Sequence, residues 1–99
     1  MAEKAMTAIV FDDDAHWNLD EVFFWANLDK NRIRCFANQR VILLLPGFDG
    51  ARGDQMSARA VEIKRMLDPV AANKIKNNQF NGTGTIEIEE SDVRSLSRE

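Results

Sequence analysis

From Glu21 to Asp29 the hydrophobic positions fall two apart: Val22, Phe24, Ala26 and Leu28 on one face, Phe23, Trp25 and Asn27 on the other. That is the period of a β-strand. Lys30-Asn31 reads as a two-residue turn, and Arg32–Ala37 as the returning strand. This turn would set Asp29 opposite Arg32, Leu28 opposite Ile33, Asn27 opposite Arg34, Ala26 opposite Cys35, Trp25 opposite Phe36 and Phe24 opposite Ala37. Cross-strand partners share a face. One face then collects Val22, Phe24, Ala26, Leu28, Ile33, Cys35 and Ala37, the set expected of a core. The other carries an Asp29–Arg32 ion pair, an Asn27–Arg34 polar pair and a Trp25–Phe36 aromatic pair. A slip of one residue would mix the two sets.

Before this hairpin, Thr7–Phe11 is a short β-branched and apolar run that Asp12-Asp13-Asp14 closes into a loop. After it, Asn38 stands where a helix N-cap would stand. The run Val41–Leu45 fits a helix begun at Gln39, or equally a buried strand, and Pro46-Gly47 ends it. Phe48–Gly53 reads as a loop. From Asp54 the spacing becomes helical: Met56, Ala60, Ile63 and Leu67 recur at three and four. Asp68-Pro69 interrupts, giving two helices, about Asp54–Leu67 and Pro69–Asn78, or one kinked helix. Asn77–Gly84 is a polar loop. Thr85-Ile86-Glu87-Ile88-Glu89 alternates with isoleucines in and carboxylates out. Ser91-Asp92 reads as the cap of a short final turn.

Length and composition confine this pattern to one domain. The chain has 99 residues, 44% hydrophobic and 29% charged, with a formal net charge of −3. That suits a single small domain over residues 1–99, with 1–6 and 94–99 as flexible ends. The longest apolar run, Val41–Leu45, is far short of the roughly 20 residues of a membrane span. Met1–Met6 holds no apolar stretch of the signal-peptide kind. The single Cys35 forms neither an internal disulfide nor a multi-thiolate metal site. A reducing cytoplasm is the expected location.

The charge of −3 is a remainder. Ala5–Asp29 holds six acids and no Lys or Arg, Lys30–Lys76 ten bases against four acids, and Asn77 onward five acids against two bases. Either the basic middle attracts nucleic acid or an acidic partner, or these acids and bases face each other across the fold.

The order Phe11-Asp12-Asp13, Trp17, Phe24-Trp25-Ala26, an Asp29-containing turn and Ile33-Arg34-Cys35 running into a helix resembles a bacterial family, domain of unknown function 1488. The likeness extends over about Ile9–Val93, through the charged helical stretch and the Ile-rich strand. It implies an α+β fold with an antiparallel sheet and, for function, no activity or site residue.

Candidate chemistry is sparse. His16 beside Asp12-Asp13-Asp14 has the donor atoms for a cation but not the spacing of a known loop, and a solvated loop explains it as well. His16 as a general base lacks a nucleophile. Arg34 would favour a Cys35 thiolate, yet the register turns Cys35 into the core. Gly82-Thr83-Gly84-Thr85 precedes a strand and lacks the phosphate-loop ending. Glu87, Glu89, Glu90 and Asp92 make either an acidic patch or a solvated strand face. The informative surface is the second hairpin face, where Phe23, Trp25 and Phe36 sit among Arg32 and Arg34. It is either an exposed contact face or a second small core covered by Gln39–Leu45 or Trp17.

The expectation is an α+β domain: a small antiparallel sheet of about four strands with helices packed mainly on one face. Its expected role is a non-catalytic interaction or accessory module of a bacterial cytoplasm, self-associating or binding another protein through Phe23, Trp25, Phe36, Arg32 and Arg34. No catalytic residue, metal or cofactor is assigned. Nucleic-acid binding by the basic middle is the alternative.

Overall fold

A computed structural model describes residues Ala8–Ser97, with side chains through Arg94. Three strands form an antiparallel meander, β1 (Ile9–Asn18), β2 (Glu21–Leu28) and β3 (Asn31–Asn38). Three helices follow, α1 (Gln39–Ile42), α2 (Gly53–Ala58) and α3 (Ala60–Lys76), then β4 (Ile86–Glu87) and α4 (Glu90–Ser97). The sheet order is β1-β2-β3-β4. The α+β class with four strands is as the sequence predicts, but the sheet is mixed. β4 lies parallel to β3, pairing Cys35 with Ile86 and Phe36 with Glu87. A parallel neighbour needs a long crossover, and α1–α3 supply it.

Strand β1 runs straight through the aspartates that the sequence suggested would end it. Phe11 pairs with Ala26 and Ala15 with Phe24, so Asp12, Asp13 and Asp14 together oppose Trp25 alone. The polar run is absorbed as a bulge inside the strand rather than as a loop. A second two-residue turn, Leu19-Asp20, joins β1 to β2. Leu19 sits there at φ 61 and is 88% exposed.

The β2–β3 turn is also displaced. It is Asp29-Lys30, with Leu28 opposite Asn31, not Lys30-Asn31. Asp29 takes φ 57, a left-handed conformation that aspartate tolerates better than lysine. Every partner therefore shifts by two residues: Ala26 faces Ile33, Phe24 faces Cys35 and Val22 faces Ala37. A shift of two preserves the side-chain period, so the predicted core face survives. Val22, Phe24, Ala26, Ile33, Cys35 and Ala37 are all buried.

Against that face lie Val41 and Ile42 of α1, Met56 of α2, Ile63, Leu67, Ala71 and Ile75 of α3, and Val93 of α4. Asn38 caps α1, its Oδ1 accepting from the Val41 N–H at 3.2 Å, which settles the open choice over Val41–Leu45 for a helical turn. The helix break falls at Arg59, not at Asp68-Pro69, and Pro69 lies inside α3. The apolar stripe Ala60, Ile63, Leu67, Ala71, Ile75 passes without a phase change across Pro69. Burying it continuously outweighs the hydrogen bond that proline cannot donate.

Arg59 closes the segment before α2. Its guanidinium stacks over buried Phe48 at 3.9 Å, donates to the Gly47 carbonyl and pairs with Glu62. At α4, Asp92 rather than Ser91 does the capping. Its Oδ2 accepts from the Glu89 N–H and from Lys74 Nζ, each at 2.7 Å. The helix reaches Ser97, longer than the single turn expected. The expected flexible end over residues 1–6, together with Thr7, Arg98 and Glu99, lies outside the described residues. No helix among them is long and apolar enough to cross a membrane.

Candidate functional site

Because β2 and β3 alternate, burying one face commits Glu21, Phe23, Trp25, Asn27, Arg32, Arg34 and Phe36 to the other. Among the described residues no helix lies on this second face. Helix α1 turns Val41 and Ile42 into the main core, and Trp17 packs beside Gly53. The second small core is therefore not formed. Phe23, Trp25 and Phe36 are half-buried, and what covers them is arginine.

The guanidinium of Arg34 lies over two rings, 4.6 Å from the Phe23 centroid and 5.1 Å from that of Phe36. Arg32 lies over Trp25 at 4.4 Å. A planar, weakly hydrated guanidinium stacks on an aromatic face and still hydrogen-bonds at its edge. Arg34 uses that edge on Glu21. Arg32 uses its own on Asp12 Oδ2 at 2.6 Å, while Asn27 Nδ2 donates to Asp12 Oδ1 at 2.9 Å. His16 on β1 extends the row, its ring 5.2 Å from that of Phe23.

The five residues predicted for this face, Phe23, Trp25, Phe36, Arg32 and Arg34, are thus brought together, in pairs that differ from the prediction. Phe36 stands opposite Phe23, Arg34 opposite Trp25 and Arg32 opposite Asn27. The predicted Asp29–Arg32 pair is replaced by Asp12–Arg32 across β2. Sequence reasoning missed Asp12 and Glu21 as carboxylate partners. Glu21 was detectable, since it shares the parity of Phe23 and Trp25; Asp12 was hidden by the bulge.

The other candidates separate. Asp12 is engaged by Arg32, Asp13 and Asp14 are exposed, and His16 stands beside Phe23. Among the described residues no three His, Cys, Asp or Glu side chains are grouped as metal ligands would be. Cys35 is fully buried on the core face, with Arg34 on the opposite one. Burial, reinforced by the negative charge of Asp68, pushes its thiol up to about 12, so it stays protonated and unreactive at neutral pH. The Asn81 carboxamide oxygen accepts from the Thr83 and Thr85 N–H groups, making the glycine segment a turn. The C-terminal acids do not form one patch: Asp92 holds Lys74, and Glu90 meets Arg94 and Arg40.

The segregated charges of the sequence therefore meet in space. The acidic first third supplies Asp12 and Glu21 to Arg32 and Arg34, and the acidic end supplies Asp92 and Glu90 to Lys74 and Arg40.

No family model matches the chain, and comparison with the curated proteins finds no relative. Among solved structures it is similar to a protein of unknown function from the DUF1488 family of Shewanella loihica PV-4, at a TM-score of 0.71 and 21% identity, over 84% of this chain and 93% of that one. The resemblance first drawn from the order of Phe11, Trp17, Trp25 and Cys35 thus extends to three dimensions, and the fold of this chain is that of a DUF1488 protein.

Proposed function

We propose that the chain is a small non-catalytic interaction or accessory module of a bacterial cytoplasm, and that it self-associates through the sheet face of Phe23, Trp25, Phe36, Arg32 and Arg34. One observation carries this reading: three large aromatic rings lie on a face that no described helix covers, with two guanidiniums stacked over them and His16 beside Phe23. Aromatic and arginine side chains are the residues that dominate binding energy at protein contacts. The charge pattern favours a second copy. Arg32 and Arg34 share the face with Asp12, Glu21 and Glu87, so the face carries both signs and nearly balances, which suits a self-complementary contact better than a polyanion. Chromatography with light scattering tests it. The wild type forms a dimer at high micromolar concentration, and a Trp25→Ala, Phe36→Ala variant is monomeric; a monomeric wild type overturns the self-association.

Nucleic-acid binding is the weaker alternative. Arginines over aromatic rings can serve as a stacking platform for single-stranded bases, but here each arginine already holds a carboxylate. Binding of mixed DNA or RNA at about 50 mM salt, falling steeply as salt rises, would favour it instead.

A further inference from the structure

The sheet face alone is small for a specific contact. The three long strands, of 10, 8 and 8 residues, at roughly 3.3 Å per residue and in rows about 4.8 Å wide, give roughly 400 Å² per copy and roughly 800 Å² for a pair, and β4 adds only 2 residues. Specific contacts bury at least about 1,000 Å², so the surface must extend past the strand ends. At the end where β1 turns into β2, two features stand side by side. One is Leu19, 88% exposed at φ 61. A γ-branched residue in the left-handed region is strained, where Asn, Asp or Gly would not be, and strain kept at an exposed apolar position points to a role outside the monomer's own stability. The other is an open cleft of about 420 Å³ lined by Asp20, Asn38, Gln39, Arg40 and Leu43, where the end of β3 turns into α1.

We propose that Leu19 is the anchor of the contact between two copies, inserting into the Leu43 cleft of a second copy while the second copy's Leu19 enters the first. This rests on the self-association proposed above and names its geometry. A protrusion and a recess on one patch are what an isologous contact requires, since each residue must meet its partner's complement twice. The charges agree. Asp20 and Arg40 flank the same cleft; the Arg40 side chain is 81% exposed and meets Glu90 only at 3.8 Å, so the exchange sets Asp20 of each copy toward Arg40 of the other. A two-fold axis running along the strands satisfies this arrangement. It places the β1–β2 tip of one copy above the β3–α1 junction of the other and keeps the sheets aligned.

Leu19→Asn tests the inference, because relief of strain and loss of the anchor act in opposite directions. Unfolding at a concentration below the association midpoint gives a Tm higher by roughly 5 °C. Sedimentation equilibrium gives association at least tenfold weaker. Asp20→Arg and Arg40→Asp each weaken association as well, and the double reversal restores it. A Leu19→Asn variant that associates as the wild type does overturns the inference. If only Trp25→Ala, Phe36→Ala dissociates the dimer, the anchor fails and the sheet-face reading stands. If only Leu19→Asn dissociates it, the sheet-face reading fails and the anchor stands. A monomeric wild type overturns both.

Discussion

Replacing Lys64 by Met should destabilise the protein far more than the loss of one helix-surface ion pair would. Lys64 is 6% exposed, and its Nζ lies 2.9 Å from Asp68 Oδ2 and 5.6 Å from the Phe11 ring centroid. Asp68 Oδ1 is buried with no hydrogen-bond partner. Lys64→Met removes the cation that hydrogen-bonds this carboxylate and leaves it half-buried. Breaking a buried pair costs about 3–5 kcal/mol; because the Asp68 side chain keeps 24% exposure, about 2–3 kcal/mol is expected here.

Adding Asp68→Leu removes the orphaned charge as well. The double variant should return to within about 1 kcal/mol of wild type, because an apolar pair of similar volume commonly matches a buried ion pair. Urea unfolding followed by the fluorescence of Trp17 and Trp25 measures both. The acid dependence adds a second check. Burial raises the Asp68 pKa, and the Lys64 hydrogen bond only partly offsets it. The folded state therefore binds this proton more tightly than the unfolded chain. That contribution to stability is complete below the ordinary carboxylate pKa and is lost as pH rises through the folded one. Protonated Asp68 needs no cation, so the Lys64→Met penalty shrinks as pH falls through that range. A Lys64→Met cost below about 1 kcal/mol at pH 7, or a double variant costing the sum of the two single ones, refutes the reasoning.

Two further outcomes follow from the fold. Cys35 should be alkylated in the native protein only as fast as the molecule unfolds, so the rate at mildly alkaline pH should track denaturant-dependent opening; rapid stoichiometric labelling of the folded chain contradicts its burial. Asn38→Ala should cost about 1 kcal/mol in thermal or urea unfolding by removing the α1 cap, and a neutral result means that Val41 and Ile42 hold that turn by packing alone.

The two faces of the hairpin were legible in the sequence because a period of two survives a slip of two, so the residues sort correctly although every pair is displaced. The turn position was not. Lys30-Asn31 and Asp29-Lys30 are both polar dipeptides, and the turn takes the one whose first residue, Asp29 at φ 57, tolerates a positive φ better than lysine does. The Asp12–Asp14 run looked like a loop because a bulge has no apolar period of its own, and this concealed both the length of β1 and the carboxylate that holds Arg32. Pro69 misled in the opposite direction: a local breaker was overruled by a stripe of buried residues on either side of it. The direction of β4 is set by how the chain crosses over, and nothing within Thr85–Glu89 encodes it. The candidate face was read from parity alone; its arginine roof needed the third dimension.

The parallel seating of β4 also sets an order for folding. The β1–β2–β3 meander is built from neighbours in the chain and two tight turns, so it can form early. β4 reaches β3 only after nearly half the chain has been laid down as α1, α2 and α3. Until then β3 presents an unpaired edge on which Ile33, Cys35 and Ala37 are still uncovered, the kind of edge that recruits strands from other chains. The short Ile86–Glu87 strand, extended by the Ile88 N–H on the Phe36 carbonyl, therefore acts as a late seal. Weakening it should show first in the yield of refolding at high concentration.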